Sequence, residues 1–219
     1  MKAHQLLTHA EALVHDALIN PEIIGLAPEQ CEIYAVGKRG GQPSTSQTEI
    51  NQRLVELCQQ GKQVVRLKSG DPFIFGRTAS EIQALQAAGC PFEVVPGLSS
   101  ALVAPTIAGI PLTDPVLGSN FAVLTAHDLE LHNWEALAQI ATLVILMGGR
   151  SLPAICDRLI HQGKRPETPV AVIRWASQPQ QQVWEGTLLN ISQRTKGTKL
   201  SPCIIVMGEV VGLRPYLKS

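Results

Sequence analysis

The chain predicts an α/β fold built from two α/β domains, and three observations predict it. Short apolar or β-branched runs alternate with amphipathic segments over all 219 residues. Several of these runs end in loops rich in Gly and Pro that lead into helix-like segments. In open α/β sheets such loops place ligands at the carboxyl ends of the strands. The stretch from Gly109 to Gly118 holds Pro111 and Pro115, has no helical period and reads as a linker. It divides the chain into an N-terminal domain, 1–112, and a C-terminal domain, 113–219.

Composition narrows the function classes. A hydrophobic content of 45% supports a real core, and charged residues make up only 16%. The formal net charge is zero, which argues against a broad field for nucleic acid or a membrane surface. No apolar run approaches the roughly 18 residues of a membrane span. The start shows no basic-then-apolar leader, so the expected compartment is the cytoplasm. Cys31, Cys58, Cys90, Cys156 and Cys203 are far apart, odd in number and without a Cys-x-x-Cys pair, which suits free thiols in a reducing setting. His127 and His132 are badly spaced for one helix face, and no metal is expected.

The elements follow in order. Residues 2–19 read as one amphipathic helix, with Leu6, Leu7, Ala10, Leu13, Val14, Ala17 and Leu18 at three- and four-residue steps, broken by Asn20-Pro21. Cys31 to Val36 reads as a short strand. Gly37 to Gly41 is a basic, flexible loop. Ser46-x-x-Glu49 is a capping box for a helix carrying Ile50, Leu54 and Leu57 and ending at Gly61. Val64 to Leu67 is a strand that breaks at Ser69-Gly70-Asp71-Pro72, because Gly admits positive φ and Pro donates no hydrogen bond. A helix spans Thr78 to Ala88, a strand Phe92 to Val95, and Pro96 to Ser100 forms a second strand-to-helix loop. In the second half, strands are expected at 121–124, 142–147, 170–173, 182–184 and 203–207. Helices are expected at 134–139, 152–161 and around 188–194.

Taken alone, Gly-Asp-Pro is an ordinary βα loop. Four pieces in order say more: Val14-His15-Asp16-Ala17-Leu18-Ile19, Val36-Gly37-Lys38-Arg39-Gly40, Gly70-Asp71-Pro72-Phe73-Ile74-Phe75-Gly76-Arg77, and Val95-Pro96-Gly97-Leu98-Ser99-Ser100-Ala101 continued by Gly109-Ile110-Pro111-Leu112-Thr113. Together they resemble the uroporphyrinogen-III C-methyltransferases within the tetrapyrrole methylases, from the first helix to Val206-Met207-Gly208-Glu209.

The resemblance implies two α/β domains with a cofactor cleft between them, a homodimer, and methyl transfer from S-adenosylmethionine to C2 and C7 of uroporphyrinogen III, giving precorrin-2. By family position Asp16 matches the proton acceptor and Lys38 the proton donor. Read without the family, Asp16 is a polar residue ending a helix and Lys38 a solvated lysine. Ser69, Gly70, Asp71, Ile74, Ser99, Ser100, Met147 and Ala176 match cofactor positions, Ser69 and Ala176 standing where relatives often carry Gly. Arg39, Arg66, Lys68 and Arg77 are candidate clamps for the substrate's carboxylates, since Arg binds carboxylate bidentately. They are equally readable as ordinary solvated charges.

One departure sets an expectation. The family opens with a strand and a Gly-Pro-Gly-Asp-Pro loop, whereas Met1-Lys2-Ala3 already reads as helix. The catalytic positions are present, and the cofactor site is expected to lack one loop. A tetrapyrrole-binding remnant without catalysis and a sister methylase acting on a later precorrin are the alternatives.

Overall fold

The computed structural model describes residues 1–37 and 45–217. They form two compact units, Met1–Ser99 and Ser100–Ser219.

The first unit runs α1 (Lys2–Leu7), β1 (Ala12–His15), α2 (Pro21–Ile24), β2 (Glu32–Ala35), α3 (Gln47–Gln59), β3 (Val64–Leu67) and α4 (Thr78–Ala87). The strands form a parallel sheet in the order β2-β1-β3, with Val14 beside both Tyr34 and Arg66. The helix expected over 2–19 is therefore wrong beyond Leu7: Ala12–His15 is the central strand. The physical reason is burial on both faces. Val14 packs with Ile50, Leu54 and Leu57 of α3, while Leu13 packs with Leu7 and Cys31 on the opposite face. A strand covered twice has no polar alternation, and its apolar run imitates helical spacing.

Asn20 caps α2 through its side chain, as the Asn-Pro break indicates. Both hydrogen bonds of the Ser46–Glu49 capping box are present at the start of α3, and Gly61 after its end has φ +76°. The strand expected at Phe92–Val95 does not form: residues 90–99 carry no regular structure. A strand needs a ladder partner, and none of the described strands pairs there. Among the described residues, β3 is an edge strand with no ladder partner on its side away from β1.

The second unit runs α5 (Ser100–Ile107), β4 (Phe121–Thr125), α6 (Trp134–Ala138), β5 (Thr142–Leu146), α7 (Leu152–His161), β6 (Pro169–Arg174), β7 (Gln182–Thr187), α8 (Ile191–Arg194), β8 (Cys203–Met207) and α9 (Arg214–Leu217), with 3-10 turns at Leu129–Leu131 and Glu209–Leu213. Its sheet has the order β4-β5-β8-β6-β7. β4 and β5 are parallel, and β8 is antiparallel to both β5 and β6. The carboxyl ends of β4, β5 and β6 therefore share one edge.

Leu152, Ile155, Cys156 and Leu159 of α7 pack on one sheet face with Leu143, Ile145 and Ile205. Ala101, Ala104, Ala108 and Ile110 pack on the other with Val144, Ala171 and Val206. Small side chains let α5 lie close to the sheet, which is why residues 100–112 pack with this unit although the sequence boundary falls after 112. Truncating a fully buried residue such as Leu159 to Ala costs about 2–5 kcal/mol. Among the described residues, no helix is long and apolar enough to cross a membrane.

Candidate functional site

In the first unit the chemistry gathers at the carboxyl ends of β1 and β3. Asp16 directly follows β1, and Arg66 and Lys68 lie at the end of β3. Glu81 is one turn into α4. Arg66 Nη2 donates to Asp16 Oδ1 at 2.5 Å, and Arg66 Nε donates to Glu81 Oε1 at 3.1 Å. Arg66 Nη1 reaches the carbonyls of Val14 and Leu67 at 3.3 and 3.1 Å. Lys68 Nζ lies 2.9 Å from each Glu81 oxygen. Asp16 Oδ2 accepts only from Ser69 N, at 3.3 Å, among the described residues.

Exposure orders the network. The Glu81 side chain is 4% exposed, Lys68 7%, Arg66 14% and Asp16 28%. Two cations therefore face two carboxylates, and Asp16 is the member that meets solvent. Mutual pairing is what makes burial of the other three tolerable, since an unpaired buried charge is strongly destabilising.

The loop after β3 is held by its own acid. Asp71 Oδ1 accepts from Phe73 N at 2.9 Å, and Oδ2 from Gly97 N at 3.3 Å. The loops 69–77 and 96–99 thus touch, and so closely that a Cβ on Gly97 would lie 2.3 Å from Gly70 O. Gly70 has φ +87°. Thr78 Oγ1 donates to the Pro72 carbonyl and closes the loop onto α4. Phe73, Ile74 and Phe75 are exposed on it. Ser69 is exposed and Ser99 is buried at the end of the second loop.

Of the proposed carboxylate clamps, Arg66 and Lys68 are turned inward onto Asp16 and Glu81. Arg77 is exposed and makes no ion pair among the described residues. Lys38 and Arg39 lie outside the described residues. Glu81 was not singled out from the sequence. A signal existed: one acid, three residues into a helix, follows a loop flanked by Arg66, Lys68 and Arg77.

In the second unit, Ser100 opens α5. Met147 follows β5 and is exposed, with Thr125 Oγ1 3.9 Å from its sulfur. Ala176 follows β6 and is half-buried. Both sit at the carboxyl edge of that sheet. Among the described residues, the non-Gly residues with positive φ are Phe75, Arg77, Met147, Trp175 and Ser177, at 51° to 67°. All fall in the loops that the sequence marks for chemistry, or beside Ala176. Such backbone costs about 1–3 kcal/mol per residue and persists where surrounding structure enforces it, typically at ligand sites. Among the described residues, no group of three or more His, Cys, Asp or Glu is placed to hold a metal.

Comparison with known proteins adds four findings. The family described as Tetrapyrrole (Corrin/Porphyrin) Methylases matches residues 1–192. The uroporphyrinogen-III C-methyltransferase of Synechococcus elongatus is 56% identical over 99% of this chain and 89% of its own length. The siroheme synthase of Tolumonas auensis is 45% identical over 99% of this chain, which spans 47% of that longer protein. In three dimensions the chain is similar to uroporphyrin-III C-methyl transferase from Thermus thermophilus complexed with S-adenyl homocysteine. The TM-score is 0.82 and the identity 32%, covering 97% of this chain and 91% of the other.

Proposed function

Because this chain belongs to the tetrapyrrole methylase family, we propose that it is a uroporphyrinogen-III C-methyltransferase that takes its methyl groups from S-adenosylmethionine. The observation that carries the reading is the Asp16 carboxylate, fixed by Arg66 and half-buried beside the Gly70–Asp71 loop, in a chain 56% identical to a protein of that name.

The donor supplies an activated sulfonium methyl, so alignment for in-line attack is the main demand on the protein. The exposed residues Ser69 and Gly70, with Asp71 holding the loop and Ile74 exposed on it, fit a cofactor surface in the first unit. Ser99 lies in the adjoining loop. Ser100, Met147 and Ala176 are the residues assigned to the same ligand in the second. The close approach of Gly70 and Gly97 leaves room for no side chain, which suits recognition through backbone groups.

Asp16 acts as the base. Oδ1 is occupied by Arg66, and Oδ2, with one long contact, takes the proton released from the ring system after a methyl adds. Lys38 is the proposed proton donor. Arg77 and Arg39 clamp substrate carboxylates, and Arg66 and Lys68 act from behind as the charged support of Asp16. Methylation at C2 and C7 gives precorrin-2. A homodimer in the cytoplasm is the proposed working form.

The test is anaerobic incubation of the purified chain with S-adenosylmethionine and either uroporphyrinogen III or, in parallel, a later precorrin, with product mass and methyl positions read out. Addition of two methyl groups at C2 and C7 supports the reading. Methylation only of a later precorrin overturns the substrate. Absence of any transfer with substrate and cofactor both present overturns the activity.

A further inference from the structure

Glu81 is the most buried charge of the network, and the proposed chemistry does not use it. Both its oxygens are committed: Oε1 to Arg66 Nε and Lys68 Nζ, Oε2 to Lys68 Nζ. α4 projects it onto the two cations at the end of β3, Arg66 within the strand and Lys68 just after it.

We propose that Glu81 is a positioning residue for methyl transfer, holding Arg66 in the one orientation that presents Nη2 to Asp16 and holding Lys68 away from it. The inference rests on Asp16 being the proton acceptor. The guanidinium is planar, with its N–H groups in a fixed fork. Glu81 grips the Nε side, the carbonyls of Val14 and Leu67 grip Nη1, and Asp16 receives Nη2. A rigid plane gripped on one side has its far side set as well, so Glu81 aims a carboxylate it never touches. Its second task is charge balance. Without it, Arg66 and Lys68 together have one carboxylate, and the freed Lys68 ammonium would compete for Asp16. The base would then be both turned and over-paired.

The experiment is a double-mutant cycle on the full chain, read by single-turnover methyl transfer to uroporphyrinogen III, with calorimetric binding of S-adenosylhomocysteine and thermal unfolding as companions. In Glu81→Gln, kcat falls on the order of a hundredfold, the loss typical of a misaligned reacting group. KM for S-adenosylmethionine and the affinity for S-adenosylhomocysteine stay at their wild-type values. Glu81→Asp, which keeps the charge, recovers part of the rate. On an Asp16→Asn background, Glu81→Gln costs nothing further, because residues acting through one another are non-additive.

Equal losses in both backgrounds overturn the inference and leave Glu81 a structural residue only. Wild-type kcat in Glu81→Gln, with Asp16→Asn inactive, overturns it alone. A fully active Asp16→Asn overturns the assignment of the base and this inference with it. If Glu81→Gln does not fold, Arg66→Lys keeps the Glu81–Lys68 pair and removes the fork. It must show the same rate loss and the same non-additivity, and wild-type kcat there overturns the proposal.

Discussion

The Arg66 guanidinium reaches from β3 to put Nη2 2.5 Å from Asp16 Oδ1, just beyond the end of the neighbouring strand β1. A carboxylate held this way spends little freedom on finding its position, and its second oxygen is the one left for the proposed proton transfer. Asp16→Asn keeps the shape and removes the basicity. The expected outcome is a loss of about 10²- to 10⁴-fold in kcat, the usual range for general base catalysis, with binding of S-adenosylhomocysteine retained. Rapid-quench methyl transfer together with calorimetry checks both halves.

Gly97 tests the contact between the two loops of the first unit. A Cβ there meets the Gly70 carbonyl oxygen, which is backbone and cannot swing aside. Gly97→Ala must push the loops apart and strain the Asp71–Gly97 bond. We expect destabilisation of about 1–3 kcal/mol, the range for overpacking, and weaker S-adenosylhomocysteine binding. Urea unfolding and calorimetry on the same preparation measure the two effects.

Arg77 differs from Arg66 and Lys68 in having no ion pair among the described residues. Arg77→Ala is expected to raise KM for uroporphyrinogen III about tenfold, matching the loss of one charge-assisted hydrogen bond, while stability changes little. Arg66→Ala is expected to lower stability as well, since it strips partners from two carboxylates at once. Steady-state kinetics and thermal unfolding of the two variants make the comparison.

Two thiols, the buried Cys156 and the half-buried Cys203, set a limit at high pH. Burial pushes Cys156 from an ordinary 9.0 up to about 12, with a hydrogen bond from Ser192 opposing it. Burial likewise pushes Cys203 up to about 11, with Arg174 opposing it. Above pH 9 the unfolded chain releases these protons while the folded chain keeps them. Stability is therefore whole below pH 9 and falls as pH climbs toward 11–12, by about 1.4 kcal/mol per pH unit for each thiol. The urea midpoint is expected to drop across that window, and a Cys156→Ala, Cys203→Ala variant to flatten that drop.

Where the sequence is read correctly, local chemistry decides the structure. The Ser46–Glu49 box, the Asn20-Pro21 break and the buried runs of β5 and β8 carry their own instructions. Where it misleads, the answer lies in partners distant along the chain. Ala12–His15 is a strand because β2 and β3 flank it and α1 and α3 cover it. Phe92–Val95 has strand composition and no ladder. Glu81 is not legible in the sequence because its meaning needs Arg66, Lys68 and Asp16, and the four residues meet from three elements, β1, β3 and α4. The bend at Gly70–Asp71 was legible, since Gly and Pro mark it directly.

The left-handed backbone at Phe75, Arg77, Met147, Trp175 and Ser177 bears on how this protein responds to selection. Gly or Asn relieves that conformation at each position. A library screened only for survival of heat should drift there toward Gly and Asn. One screened for turnover should hold the original residues. Sequencing both pools would outline the working surface with no bound ligand, as the positions where endurance and activity pull apart.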